Sequence, residues 1–339
     1  MFDTPATEIL KRCSNASQED SDAVLNLLAA YKCALTSHES QNTRLANTRD
    51  LDSFVHCISE FTNRTPMDIM LNLPNIVTRA KAIWYRDYLR SCFSNRGKPF
   101  AGSSVNRRLA SLSSLWKEFV AASLCPTNPF RGLRADDHRC DPTPALSLED
   151  QNRLIQAPDF ESATTPYQRR RLLRDKILLA LLFVHGIRRE EARLLKFSDI
   201  GTNQGYYVFT VKAKRAQIIT HRCHPKVFHY LQIYRAEFMP DDGYVFRGFA
   251  HNGNSKAGEP MSAQTITYIV KWWARKVKIS QNVSPHVGRA TAITHALRHA
   301  PIQVVSQAIG HASISSTQRY DRTKSRLEKG ICTLQDCEV

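Results

Sequence analysis

Three short stretches of this 339-residue chain, far apart in sequence, hold side chains suited to chemistry on a phosphodiester. In the first, Gly186-Ile-Arg188-Arg-Glu-Glu191, a guanidinium and a carboxylate lie three residues apart and so share one face of a helix. The second is Pro285-His286-Val-Gly-Arg289, and the third runs from Ile309-Gly310-His311 through Thr317 to Tyr320, nine residues after His311. A DNA phosphodiester is anionic and resists nucleophiles, so attack without a metal needs positive charge to stabilise the pentavalent transition state. Arg188 and Arg289 would supply it, since a planar guanidinium makes paired hydrogen bonds to non-bridging oxygens and stays protonated at any working pH. Glu191 would hold Arg188 or a neighbouring group in place. His286 and His311 add donors or move protons, because imidazole titrates near neutrality, and His286 is the candidate base. Tyr320 is the candidate nucleophile, a phenol that must lose its proton as it attacks or be stabilised by nearby cations. Taken singly, each residue has an ordinary structural use; order, spacing and residue type together carry the signal.

Composition narrows the partners. Lys and Arg number 47 against 31 Asp and Glu, a formal charge of +16, which points to a polyanion, with nucleic acid first. A membrane surface is the competing partner, but there is neither an apolar run long enough to span a bilayer nor a basic amphipathic helix isolated at one end. No signal peptide is evident at Met1-Phe-Asp-Thr-Pro5, so a cytoplasmic, nucleoid-associated protein is expected. The nine cysteines are scattered through a large chain and read as reduced, mostly packed thiols. His221, Cys223 and His224 resemble a metal cluster but lack a second pair at zinc-finger spacing and fall in an expected strand. With no phosphate-binding loop and no dinucleotide fingerprint, no metal and no cofactor are expected.

The elements that must position these groups fall into two domains, and 42% hydrophobic residues suffice for two cores. From about Ala23 to Leu133 the apolar spacing is helical, with helices over Ala23–Leu35, Thr48–Glu60, Ile76–Phe93 and Ser104–Ala122. The last carries Asn106, Arg107 and Arg108 in its early turns, where they would face phosphates or simply solvent. Residues 1–134 form the expected helical domain, 135–146 a polar, Pro-containing linker, 147–330 a second domain and 331–339 a tail. In the second domain a helix starts at Leu146-Ser-Leu-Glu-Asp150 and another covers Asp175–Gly186. One region alone reads as sheet, Tyr206–Val211 and Gln217–Thr220, with a turn at Lys212-Ala-Lys214-Arg215-Ala216. Helices follow over Pro225–Phe238, Ala263–Lys278, Pro285–Arg298, Pro301–Ile309 and Ser316–Glu328, and the segment from His251 to Gly258 reads as an exposed loop. The fold class is mainly α with a small antiparallel β-sheet.

The three stretches resemble, position by position, the ordered boxes of the tyrosine recombinase (phage integrase) family. Gly186, Ile187, Arg188, Glu191, Leu195, Phe197, Ser198, Asp199 and Ile200 match its first box. His286 and Arg289 match its His-x-x-Arg box, and Gly310, His311, Thr317 and Tyr320 match its last. Arg189 departs from the apolar or small residue often found after the first arginine. More weakly, Asn106-Arg-Arg-Leu109, Leu112 and Trp116, with the exit Asn128-Pro129, resemble the last helix of the family's core-binding domain, and Thr48 to Phe54 its early helix. The resemblance implies a C-shaped clamp on double-stranded DNA, held mostly by phosphate contacts that include Asn106, Arg107, Arg108, Lys214 and Arg215. It also implies a hairpin lysine, Lys212 or alternatively Lys214, as general acid. Attack by Tyr320 would then give a 3′-phosphotyrosine and a free 5′-hydroxyl, with rejoining in a homo-tetramer on two DNA sites through a four-way junction. Accessory DNA-bending proteins could take part, and the tail after Tyr320 would pack on a neighbouring subunit or fray. Type IB topoisomerases and telomere resolvases share the residue set, and a catalytically silent DNA-binding protein of the same fold is the alternative from another class.

Overall fold

The computed structural model describes residues 4–15, 21–38, 41–92, 97, 99–135, 143–212, 217–239, 242–249, 255–311 and 313–321. Lys214 and Arg215, most of the expected linker and the tail from residue 322 lie outside them. The chain divides into two units, Met1–Cys140 and Asp141–Val339.

Threonine caps and prolines set the helix starts of the first unit. Its helices are α1 (Pro5–Ser14), α2 (Asp22–Thr36), α3 (Gln41–Thr62), α4 (Pro66–Ile76), α5 (Arg79–Ser91) and α6 (Gly102–Ala121). Thr4, Thr65 and Thr78 accept hydrogen bonds from the first-turn amides of α1, α4 and α5, and Pro5 and Pro66 occupy positions where a missing N–H costs nothing. The helix expected over Ile76–Phe93 is present but starts later: Ile76 closes α4, Val77 is extended, and α5 begins after the Thr78 cap and ends at Ser91. Neither α1 nor α4 was expected. The core gathers around Trp116 and Phe54, whose rings meet edge to face at 6.0 Å, with Phe130 at 4.9 Å from Trp116.

The second unit runs α7 (Leu148–Gln156), α8 (Pro166–Phe183), α9 (Arg189–Leu194), β1 (Ile200–Asn203), β2 (Tyr206–Lys212), β3 (Ile218–Arg222), α10 (Pro225–Phe238), β4 (Arg247–Phe249), β5 (Ser255–Pro260), α11 (Ala263–Lys276), α12 (Pro285–Ala296), α13 (Ile302–Ala308) and α14 (Ile314–Gln318). Its axis is α8, in which every side chain from Ile177 to Phe183 is buried. Because that stretch is apolar all round, it must be enclosed by other elements. One of these, α12, crosses so closely that a Cβ on Gly288 would stand 2.9 Å from the Leu182 carbonyl oxygen. Strands β1, β2 and β3 form an antiparallel sheet in that order, with Phe209 opposite His221 and Val211 opposite Ile219. Alternation along β2 buries Phe209 and Val211 and leaves Lys212 exposed.

Two expectations fail here. A second sheet exists: β4 pairs with β5, and Gly258, read as loop, lies in β5. Ser-Lys-Ala-Gly-Glu-Pro has no strand-forming composition, so pairing is decided by the partner strand and not by local preference. The helix expected over Ser316–Glu328 starts earlier, after the Ser313 cap, and ends at Gln318, which puts Tyr320 in a turn closed by its N–H donating to the Thr317 carbonyl at 2.9 Å. The fold is mostly helical with small antiparallel sheets, the class expected from sequence.

Candidate active site

Glu191 and Arg289 organise the cluster. Arg188 precedes α9, and Glu191, in the first turn, reaches back: one carboxylate oxygen accepts from the Arg188 backbone N–H and the other from its guanidinium, both at 2.6 Å. Such reciprocal capping fixes the helix start and the side chain together. Arg289 enters from α12, whose start is set by the Ser284 cap and Pro285. Its guanidinium donates to the Gly186 carbonyl at 2.8 Å and the Ile309 carbonyl at 2.9 Å, and lies 4.0 Å from Glu191. One side chain thus joins the three stretches singled out in the sequence. Burial, with Arg188 adding to it, pulls Arg289 down to about 10, so it remains charged at neutral pH.

His311 follows Gly310, whose left-handed backbone (φ +66°) turns the chain out of α13. A Cβ on Gly310 would meet Ile219 of β3 at 2.0 Å. The His311 Nδ1 lies 2.8 Å from the Thr317 hydroxyl, and its ring stacks at 6.3 Å and 19° on Tyr320. Burial, then Arg289 and Arg188, lowers His311 to about 4. Tyr320 packs on Ile293, Val305 and Ile309, and the charge on its phenolate would be felt by Arg289.

The structure thus brings together Arg188, Glu191, Arg289, His311 and Tyr320. His286 is exposed on α12, one turn before Arg289. Lys212 ends β2 opposite Ile218, and its amine makes no contact with the cluster among the described residues. The three α6 residues expected to face phosphates have local partners. Asn106 exchanges two hydrogen bonds with the Ala135 backbone, at 3.1 and 2.7 Å. Arg107 makes a bidentate ion pair with buried Asp50, at 2.5 and 2.8 Å. Arg108 lies over the Phe100 ring, 4.5 Å from its centroid. Arg189 donates to Thr267 of α11 at 3.2 Å.

His221 is a member that sequence reasoning weighed only as a metal ligand. Among the described residues no group of three or more His, Cys, Asp or Glu could hold a metal ion. Its buried ring stacks on Phe209 at 5.2 Å, and its Nε2 has no hydrogen-bond partner among the described residues. Burial lowers its titration; Glu191 opposes that shift, while Arg289 and Arg188 reinforce it. Alternation in β3 marks it as inward-facing, but only the folded chain shows that inward is toward Glu191.

A helical first unit followed by a mixed unit that gathers two arginines, a carboxylate, a histidine and a tyrosine defines the class of tyrosine-type enzymes that break and rejoin DNA. The phage integrase family model matches residues 146–326, and the chain belongs to that family. It is 29% identical over 238 residues to the tyrosine recombinase XerC of Pelotomaculum thermopropionicum, covering 68% of this chain and 74% of that one. A tyrosine recombinase of Synechococcus elongatus is 27% identical over 335 residues, 97% of each chain. The fold is shared with the XerH recombinase solved in a post-cleavage complex on a palindromic difH substrate, with TM-score 0.65, 15% identity and coverage of 97% of this chain and 94% of that one. The protein is therefore a tyrosine recombinase, an enzyme of site-specific DNA recombination.

Proposed function

We propose that Tyr320 attacks a DNA phosphodiester held by Arg188 and Arg289. The phenolic oxygen bonds to phosphorus, its proton passes to His286, and the bond from phosphorus to the 5′-oxygen breaks. That oxygen takes a proton from Lys212, or from Lys214, leaving a 5′-hydroxyl and a 3′-phosphotyrosine. The phosphoester bond is conserved in the protein link, so a 5′-hydroxyl from another strand reverses the step without an energy source. His311 donates to a non-bridging oxygen, and Glu191 keeps Arg188 and Arg289 side by side against their mutual repulsion.

The observation that supports this best is the buried Arg289 guanidinium, bonded to the carbonyls of Gly186 and Ile309 beside the Arg188–Glu191 pair. Arginines and a carboxylate gathered under a tyrosine suit anion binding and nucleophilic attack, whereas a DNA-binding protein without chemistry needs basic residues only at its surface. On this reading residues 147–330 are the catalytic domain and residues 1–134 a DNA-binding domain, aided by Asn106, Arg107, Arg108, Lys214 and Arg215. Exchange would proceed in a homo-tetramer on two duplexes through a four-way junction, with accessory DNA-bending proteins as further partners and the tail after Tyr320 packing on a neighbouring subunit. A cytoplasmic, nucleoid-associated location agrees with the basic charge; among the described residues no helix is long and apolar enough to cross a membrane.

The test is covalent trapping. Wild type and Tyr320→Phe are incubated with nicked duplexes carrying candidate sites, without metal, and resolved on a denaturing gel. An adduct with wild type alone is the expected result. Shifted but never covalently linked DNA, on a site known to be cognate, would replace the enzyme reading with that of a silent binder.

A further inference from the structure

Thr317 is fully buried, yet no catalytic role falls to it in the chemistry above. Its hydroxyl lies 2.8 Å from Nδ1 of His311, and its carbonyl accepts the Tyr320 N–H at 2.9 Å. A threonine on a helix commonly donates to a carbonyl one turn back. Here the hydroxyl's partner among the described residues is the His311 ring. That ring is neutral at pH 7, because burial and the two arginines lower it to about 4, so it carries one proton on one of two nitrogens. A neutral imidazole turned toward a phosphate oxygen is useful only if the nitrogen facing that oxygen bears the proton; with a lone pair there it would repel the anion. The partner of the other nitrogen decides which form is present.

We propose that Thr317 is a positioning residue: its hydroxyl donates to Nδ1 of His311, fixing the ring proton on Nε2, the nitrogen left to meet the scissile phosphate. This rests on the reading of His311 as a phosphate donor. The same residue sets the backbone of the nucleophile through its carbonyl, so the orientation of the donor and the position of the phenol share one support.

Two measurements on the full chain test it. In the first, nitrogen NMR of histidine-labelled protein near pH 7 reads which His311 nitrogen carries the proton, with His311→Gln assigning the signal among the twelve histidines. Wild type should show a protonated Nε2 and an unprotonated, hydrogen-bonded Nδ1, with the Nδ1 signal displaced in Thr317→Val. In the second, single-turnover cleavage of nicked duplexes with a randomised core is compared for wild type, Thr317→Val and Thr317→Ser, alongside binding by gel shift. The valine variant keeps the shape but not the hydroxyl; it should cleave about 10- to 100-fold more slowly with unchanged binding, and serine should restore most of the rate. A proton on Nδ1 in wild type, or a valine variant that cleaves as fast as wild type, would overturn the proposal. If wild type forms no adduct at all, the proposed function fails, and the NMR reading still decides the Thr317 bond by itself.

Discussion

Glu191 is a buried carboxylate in contact with Arg188 and 4.0 Å from Arg289, so its charge holds together two groups that would otherwise repel. Glu191→Gln keeps the shape and removes the charge. The variant should lose about 3 kcal/mol of stability in urea unfolding, the usual size of a broken buried pair. At temperatures where it remains folded, it should cleave more slowly than wild type. An unchanged urea midpoint would mean that Arg188 and Arg289 are held by their other bonds. Arg188, Glu191, Arg289, His311 and Tyr320 were legible in the sequence because spacing and order specify them together. His221 was not: a histidine in a strand announces which face it takes but not what stands opposite.

At the scale of elements, the approach of α12 to α8 depends on Gly288, where a methyl group would meet the Leu182 backbone oxygen at 2.9 Å. Backbone cannot give way as a flexible side chain can. Gly288→Ala should therefore cost about 2 kcal/mol through overpacking and push Arg289, the next residue, off its two carbonyls. Urea unfolding and single-turnover cleavage check the two effects separately; normal values for both would show that α12 accommodates the methyl by sliding. Capped starts such as Ser284-Pro285 made α12 readable, and the pattern Thr65-Pro66 carried the same signal for α4, which went unread because Pro74 and a break at Val77 interrupt the apolar spacing. The pairing of β4 with β5 was not readable, since a short strand of Ser, Lys, Ala, Gly, Glu and Pro is made by its neighbour. The end of α14 also escaped, because the residues after Gln318 continue a helical composition while the chain turns at Tyr320.

Across the whole molecule, half-buried histidines tie stability to pH. Burial, then His221 and His224, lowers His185 to about 4, and His311 is lowered to about 4 as well. In the unfolded chain both titrate near about 6.5. Below that pH the unfolded state takes up protons that the folded state refuses, so stability falls as pH drops from about 6.5 toward about 4 and gains no further loss from these groups below. The urea midpoint at pH 5 should lie below that at pH 7, and His185→Gln should narrow the gap. An identical gap in the variant would assign the acid sensitivity to other groups.

The bonds from Arg289 to Gly186 and Ile309 bear on how genetic data for this protein are read. On the proposed mechanism an inactive Arg289 variant has lost a phosphate-binding group and also a rivet between three parts of the chain, and a cell-based assay cannot separate the two. Arg188 is more than a quarter exposed and bonded chiefly to Glu191. A null phenotype there speaks more directly about catalysis, and allelic series meant to rank the active-site residues are best anchored on Arg188.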